Sequence, residues 1–235
     1  MGPGMRKLKK LTSEWKAVWP DKSEVGRVLR FMHGHWYELV REDMPGFQAS
    51  NYESQLTSFF GQSLKDGSYE AKLLGKFSYE DSIGKANKLT GKLTNRGRND
   101  INYFTVMDGK QIELIFEFKR LKLKPRDNRQ EYYNENGMQR FVTGKYANRH
   151  HLAFMVGMIE KRSLQEGILS GLKRAIASDH VASELHMKRG ADGRYIQEPS
   201  QVMPDIIAFD TEHSRVLLDN VPNIVLGHLF LYHEI

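Results

Sequence analysis

The sequence has no cysteine among its 235 residues. This absence excludes disulfide bonds, zinc sites built from thiolates and any enzyme with a cysteine nucleophile. Histidine does not suggest a metal site either, because His33 and His35 on a predicted helix, and His150 and His151 on a predicted strand, point in different directions. A chain without cysteine suits a reducing compartment, so we expect a cytoplasmic protein.

Long apolar runs are also missing. No run approaches the roughly 18 residues that a membrane-spanning helix needs, so we expect no membrane partner. The phosphate-binding pattern GxxxxGK[ST] and the nucleophile pattern GxSxG are both absent. Sequence motifs therefore do not support a P-loop NTPase or an α/β-hydrolase.

The chain carries a surplus of positive charge. Lys and Arg number 35 against 29 Asp and Glu, which gives a formal net charge of +6 and a pI near 9.3. This balance favours a polyanionic partner, although many basic proteins bind no nucleic acid. The hydrophobic fraction of 40% and the charged fraction of 27% are ordinary for a globular protein.

The length of the chain suggests one main domain with a small addition. We predict an N-terminal helical region over residues 1–50 and an α/β domain over residues 51–235. Residues 1–4 resemble a cloning remnant ahead of a native start at Met5, and the basic residues that follow lack the apolar stretch of a secretion signal.

Hydrophobic periodicity and turn residues predict a succession of helices and strands. The predicted elements are a helix from Asp21 to Asp43, a helix from Asn51 to Gly67, a strand near Lys76, a hairpin around Asp108-Gly109, a loop from Lys122 to Gly137, a helix over 138–147, a strand over 150–159, a helix over 164–185, and apolar runs over 205–210 and 223–235. This order predicts an α/β (α+β) fold with a mixed central sheet flanked by helices.

The hairpin contains the most informative pattern. Asp108-Gly109 is a dipeptide favoured in two-residue type I′ turns, and with this turn the numbers of facing residues add up to 217. Asp100 and Glu117 then face each other with Cβ atoms about 5 Å apart, and Lys119 joins the same face. The opposite face is predicted to be core. That face holds Ile101, Tyr103, Thr105, Ile112, Leu114, Phe116 and Phe118.

Two facing carboxylates repel each other unless a positive charge lies between them. The register therefore predicts that either Lys119 or a bound cation neutralises Asp100 and Glu117. One interpretation is an ion-paired patch on a solvated strand end, of little energetic value. The other is a functional site, because carboxylate oxygens bind hard cations and a nearby ammonium binds phosphate.

The residues Asn99-Asp100 and Glu117-Phe118-Lys119, with a strand and a turn between them, resemble the signature of the PD-(D/E)XK nuclease superfamily. Asn99 stands where the family usually has proline. The resemblance spans about Glu53 to Ile159, where the predicted elements follow the order of the family's core. It implies a restriction-endonuclease-like mixed central sheet flanked by helices.

This resemblance implies roles for five residues. Asp100, Glu117 and Lys119 would be catalytic, and the two carboxylates together with the backbone carbonyl of Phe118 would bind Mg²⁺, for which Mn²⁺ would substitute. Glu53 on the preceding helix would supplement both the metal site and catalysis, as such a Glu does in many members of the superfamily. The alternative for Glu53 is an acidic residue that the helix dipole favours at a helix N-terminus.

Further residues are candidates for contacts with nucleic acid. Lys122, Lys124, Arg126 and Arg129 would hold phosphates flanking the scissile one, and a solvated basic loop is the alternative. Some branches of the superfamily carry a Gln on the helix after the hairpin, with a Tyr four residues later. Gln139 stands at this place, although its Tyr comes seven residues later, and a solvated surface Gln is the alternative.

The predicted function is that of a Mg²⁺-dependent deoxyribonuclease, an endonuclease in preference to an exonuclease, with DNA as its partner. A homodimer would suit double-strand cleavage. The alternative is a non-catalytic nucleic-acid-binding or assembly protein on the same fold. We expect the neighbouring carboxylates to raise the pKa of Lys119, so Lys119 would orient water and stabilise the phosphate rather than act as a base.

Overall fold

The computed structural model describes residues 22–80, 82–86, 93–107, 110–123, 127–215, 218 and 221–234. The helices are α1 (Lys22–Arg41), α2 (Glu53–Gly67), α3 (Asp127–Tyr133), α4 (Met138–Val142), α5 (Gln165–Ile176) and α6 (Asp179–Glu184), with short 3₁₀ turns at Pro45–Phe47 and Arg162–Leu164. The strands are β1 (Lys76–Tyr79), β2 (Ser82–Ala86), β3 (Leu93–Arg98), β4 (Ile101–Met107), β5 (Lys110–Leu121), β6 (Leu152–Ile159), β7 (Met187–Lys188), β8 (Ile196–Gln197), β9 (Phe209–His213) and β10 (Ile224–Tyr232).

Eight of the described strands form one mixed sheet. Its order is β1-β4-β5-β6-β10-β9-β7, and β8 pairs with β9. The central strands β5, β6 and β10 run parallel to one another, whereas the other neighbours pair antiparallel. Strands β2 and β3 form a separate two-stranded sheet.

Helices cover both faces of the eight-stranded sheet. On one face, apolar residues of α1 and α2 that recur every three or four positions, among them Leu29, Trp36 and Phe60, are fully buried. On the other face, α3, α4, α5 and α6 pack around residues such as Tyr132 and Phe141. The predicted α/β fold, with a mixed central sheet flanked by helices, is confirmed.

The core on the face covered by α3, α4, α5 and α6 contains a chain of hydrogen bonds that run in one direction. His213 Nδ1 must donate to the carbonyl of Leu185 at 2.8 Å, because a carbonyl can only accept. Neutral His213 then accepts at Nε2 from the hydroxyl of Thr211, which in turn accepts from Nε2 of His228. His228 Nδ1 accepts from the hydroxyl of Tyr132 at 3.0 Å. Each of these buried polar groups is satisfied while both imidazoles are neutral.

The stretch predicted as a loop after the hairpin contains a helix. α3 forms over Asp127–Tyr133 in spite of its polar composition, because Tyr132 is fully buried against the sheet and bonded to His228. Lys124 and Arg126, from the same stretch, lie outside the described residues.

Two helices are shorter than predicted. The helix predicted over 138–147 ends at Val142, and Gly144 that follows has a φ of +68°, which no right-handed helix contains. The helix predicted over 164–185 is divided into α5 and α6, because Ser178 between them has an extended backbone. Neither interruption is marked by proline.

Some predicted boundaries were also wrong. The apolar run over 205–210 begins with a turn, and its strand, β9, starts at Phe209. α2 begins at Glu53, two residues after its predicted start, with Tyr52 as its N-cap, and the side chain of Asn51 accepts the backbone N–H of Gln48. Among the described residues, no helix is both long and apolar enough to cross a membrane.

Candidate active site

The candidate site lies where β4 begins and β5 nears its end. Ile101 pairs with Phe116, and the described ladder keeps the predicted register in which facing numbers add up to 217. Asp100 directly precedes β4, and its Oδ2 accepts the backbone N–H of Phe118 at 2.7 Å. The turn predicted at Asp108-Gly109 lies outside the described residues.

Strand alternation separates the polar side chains of β5 from its aromatic ones. Phe116 and Phe118, like the other residues predicted for that face, are buried in the core beneath α1 and α2. Glu117 and Lys119 point to the opposite face, yet they are only 0% and 8% exposed. The interpretation as a solvated strand end is therefore wrong about the solvent, although the ion pairs that it predicted are present.

Glu117 has one heavily bonded oxygen and one without a partner. Its Oε1 lies 3.1 Å from Nζ of Lys119 and 2.9 Å from Nη1 of Arg140 on α4. Its Oε2 is buried and has no hydrogen-bond partner among the described residues. A buried carboxylate oxygen without a donor is costly, so it points to a bound group that supplies positive charge or a proton.

Glu53 connects α2 to the end of β5. It is the first residue of α2, where its Oε1 accepts a hydrogen bond from Nζ of Lys119 at 3.2 Å. Its Oε2 accepts the backbone N–H of Arg120 at 2.6 Å. Both oxygens of Glu53 thus fix the end of β5, and its metal-binding role remains a prediction. We call Glu53, Asp100, Glu117, Lys119 and Arg140 the strand-end cluster.

Arg120 holds the segment that leads into α2. Its guanidinium donates to the carbonyl of Asn51 at 2.8 Å and also to the carbonyl of Ala49. Because the backbone N–H of Arg120 binds Glu53 as well, one residue fixes both the helix start and its acidic side chain. Sequence reasoning did not identify this role, since Arg120 belongs to a general run of basic residues.

Burial and charge shift the ionisation of the two facing carboxyl groups. Burial first, and the charge of Asp100 second, raise the pKa of Glu117 to about 8, against the opposing effects of Lys119 and Arg140. Burial also raises the pKa of Asp100, although Lys119 and the N–H of Phe118 counteract it. The pair therefore ionises readily only when further positive charge is near.

Lys119 remains an ammonium group in this environment. Burial alone would lower its pKa, but the charges of Glu117, Glu53 and Asp100 raise the pKa above its ordinary value. This confirms the expectation that the neighbouring carboxylates raise the pKa of Lys119. With three carboxylates and two cations, the fully ionised strand-end cluster has one negative charge in excess.

A hard divalent cation fits two carboxylates of the strand-end cluster. Within the part of the chain that the structure describes, no three His, Cys, Asp or Glu side chains form a group that could hold a metal ion. Mg²⁺ does not require such a group, because it commonly keeps several waters and binds through one or two carboxylates. The unpaired Oε2 of Glu117 and the carboxylate of Asp100 are oxygen donors of this kind.

Arg140 belongs to the site although the sequence pattern did not identify it, and Tyr146, the Tyr seven residues after Gln139, contacts it. Arg140 Nη1 donates to the hydroxyl of Tyr146 at 2.7 Å as well as to Glu117. The Tyr146 hydroxyl donates to the carbonyl of Arg98, and burial and the charge of Glu117 raise the pKa of Tyr146 to about 12. The interpretation that selected Gln139 therefore came within one residue of the cation that binds Glu117.

Three of the residues predicted to contact nucleic acid lie within the described part of the chain. Lys122 is exposed just after β5, Arg129 lies on α3, and Gln139 is partly buried on α4. Among the described residues, none of these three forms a hydrogen bond or ion pair with the strand-end cluster. Their roles remain predictions, as do those of Lys124 and Arg126.

Comparison with protein-family models, with curated proteins and with solved structures finds no match for this chain.

Proposed function

We propose that the protein is a metal-dependent nuclease that hydrolyses phosphodiester bonds, most suitably in DNA. The observation that carries the proposal is the carboxyl group of Glu117, which is fully buried beside Asp100 with one oxygen unpaired. A carboxyl group buried in this way favours a cation as its partner. The resemblance of these residues to the PD-(D/E)XK signature suggests the same chemistry.

Asp100 and Glu117 would hold the ion, with the backbone carbonyl of Phe118 as a further ligand. Bound Mg²⁺ lowers the pKa of a coordinated water and offsets negative charge on the phosphate. The hydrogen bond from the N–H of Phe118 to Asp100 keeps this carboxylate at the strand end. Mn²⁺, which also prefers oxygen ligands, should replace Mg²⁺.

Lys119 and Arg140 would act on the charge of the phosphate. Both side chains contact the same oxygen of Glu117, so they lie beside the proposed ion. Their N–H groups can donate to the phosphate oxygens as negative charge develops on them. Glu53 holds the ammonium group of Lys119 in place.

The proposed substrate is inferred from the charge of the protein rather than from the shape of a groove. A net charge of +6 and a basic stretch after β5 favour a polyanion. We propose DNA as the partner and internal cleavage as the reaction, with a homodimer as the form suited to cutting both strands.

One observation favours a second candidate, a nucleic-acid-binding or assembly protein without catalysis. Lys119 and Arg140 already neutralise one oxygen of Glu117 within the described residues. The strand-end cluster would then be an internal ion network that stabilises the fold or its specificity.

Incubation with supercoiled and linear DNA in Mg²⁺, Mn²⁺ or excess EDTA separates the two candidates. The proposed nuclease cuts with either metal and stops in EDTA. A pure binding protein retards DNA in a gel and leaves it intact under all three conditions. Cleavage that continues unchanged in EDTA would contradict the metal-dependent mechanism.

Two substitutions separate metal binding from chemistry. Asp100→Asn removes a charged ligand, so metal affinity and cleavage should fall together. Lys119→Met removes the ammonium group and keeps the aliphatic stem, so cleavage should fall on the order of 100-fold while metal affinity holds or rises. Calorimetric Mn²⁺ titration and plasmid cleavage measure the two effects, and wild-type cleavage by Lys119→Met would contradict the assigned role.

A further inference from the structure

A cavity lined largely by polar residues lies away from the strand-end cluster. It has a volume of about 620 Å³ and is formed by α3, α5, α6 and the turn after α3. Cavities that bind small molecules commonly have volumes of about 300–1,000 Å³. Polar side chains dominate its lining, including Asn134 and Ser178.

Arg129 of α3 brings an incompletely bonded guanidinium to this cavity. Its Nε is buried and has no hydrogen-bond partner within the described residues. Its Nη1 lies over Gly171 of α5, where an added Cβ would come within 2.5 Å of it. The glycine therefore makes room for the guanidinium at the cavity wall.

The charges around the cavity are mainly positive. Arg174, one helical turn after Gly171, lines the cavity and forms no ion pair with any described residue. Its neighbour Lys173, in contrast, is 2.6 Å from Glu198. Glu184 of α6 is the one acidic residue among the described residues that line the cavity, and its Oε1 lies 3.5 Å from Nε2 of His180.

We propose that this cavity binds a phosphate monoester, carried either by a free nucleotide or by the end of a nucleic-acid strand. Two guanidinium groups with unused N–H donors match the oxygens of a dianionic phosphate, which accept such forked bonds. The ring of Tyr133, which also lines the cavity, offers a surface for a base. This inference does not rest on the proposed nuclease activity.

The cavity is joined to the strand-end cluster by a short turn. The backbone carbonyl of Asn134 accepts the N–H groups of Gly137 and Gln139. Arg140, the next residue, donates from Nε to the carbonyl of Glu135 at 3.3 Å and from Nη1 to Glu117. A ligand that contacts Asn134 therefore borders the same turn that positions Arg140.

Calorimetric titration in EDTA tests the proposal without involving a metal or cleavage. The probes are inorganic phosphate, adenosine monophosphate and a short oligonucleotide with either a 5′-phosphate or a 5′-hydroxyl. Wild-type protein should bind at least one probe that carries a phosphate monoester. Binding of adenosine monophosphate alone identifies a free nucleotide, and a requirement for the 5′-phosphate identifies a strand end.

Three variants decide whether the binding occurs in this cavity. Arg174→Gln, an exposed position on α5, should weaken binding roughly 10-fold to 100-fold, as expected for one charge-assisted hydrogen bond. Gly171→Ala should weaken it by displacing Arg129, whereas Lys173→Gln, the matched control, should not. The proposal is overturned if no probe binds, if Arg174→Gln binds as wild type does, or if only the two oligonucleotides bind and do so equally.

Discussion

Raising the pH should destabilise the metal-free protein, because Glu117 prefers its neutral form when folded. Burial and the charge of Asp100 raise the pKa of Glu117 from an ordinary value of 4.5 to about 8. Between these pH values the unfolded chain has lost a proton that the folded chain retains. The free energy of unfolding must therefore fall as the pH rises through this window.

The size of this effect follows from the two pKa values. A single group changes the free energy of unfolding by at most about 1.4 kcal/mol per pH unit. Between pH 7 and pH 8, Glu117 alone should lower the free energy of unfolding by about 1 kcal/mol. The fall is smaller than the maximum because folded Glu117 itself begins to lose its proton in this interval. Buried histidines act in the opposite sense below about pH 6.5, so this upper interval avoids their contribution.

Urea denaturation in EDTA at pH 7.0, 7.5 and 8.0 measures the slope. Glu117→Gln should remove it, whereas Glu113→Gln should keep it. Glu113 lies on the same strand and face, but it is partly exposed and pairs with His150 at 3.1 Å. Added Mg²⁺ should abolish the slope in the wild type, because the ion binds the ionised carboxylates and the folded chain then retains no extra proton. Equal slopes for wild type and Glu117→Gln would refute the reasoning.

Three further predictions concern the residues that stabilise the fold and position the site. Thr211→Val removes the hydroxyl between His213 and His228 and should lower the free energy of unfolding by about 1–3 kcal/mol in urea denaturation, while Thr211→Ser should retain most of the stability. Because the pKa of His213 is lowered to about 4, wild-type stability should also decline as the pH falls from about 6.5 toward 4. Arg120→Met should speed amide hydrogen exchange around Asn51 and leave exchange in β10 unchanged; an unaltered rate around Asn51 would contradict the positioning role.

The geometry of the hairpin could be predicted because a two-residue turn leaves little freedom in the register. Once the register is set, side-chain alternation determines that Glu117 and Lys119 share a face and that Phe116 lies on the other. The sequence did not predict the burial of Glu117. Arg140 contacts Glu117 from α4, and the position of Arg140 depends on packing between α4 and the sheet.

The turns after the hairpin could not be predicted from local patterns. Tyr146 returns to Arg140 because the chain turns at Gly144, with a φ of +68°. A second positive φ, of +50°, follows directly at Ala147. Alanine in such a conformation has no local sequence signal. α3 was missed for a related reason, since a single buried residue, Tyr132, anchors an otherwise polar helix.

Plasmid cleavage as a function of Mg²⁺ concentration, compared between Glu117→Gln and Glu113→Gln, tests the proposed active site most directly. Both substitutions remove one negative charge from the same face of β5, and only Glu117 contacts Lys119 and Arg140. Glu113→Gln should cut at the wild-type rate with the wild-type requirement for Mg²⁺. Glu117→Gln should lose cleavage at every Mg²⁺ concentration, and cleavage by Glu117→Gln equal to that of Glu113→Gln would contradict a metal-dependent site at the end of this strand.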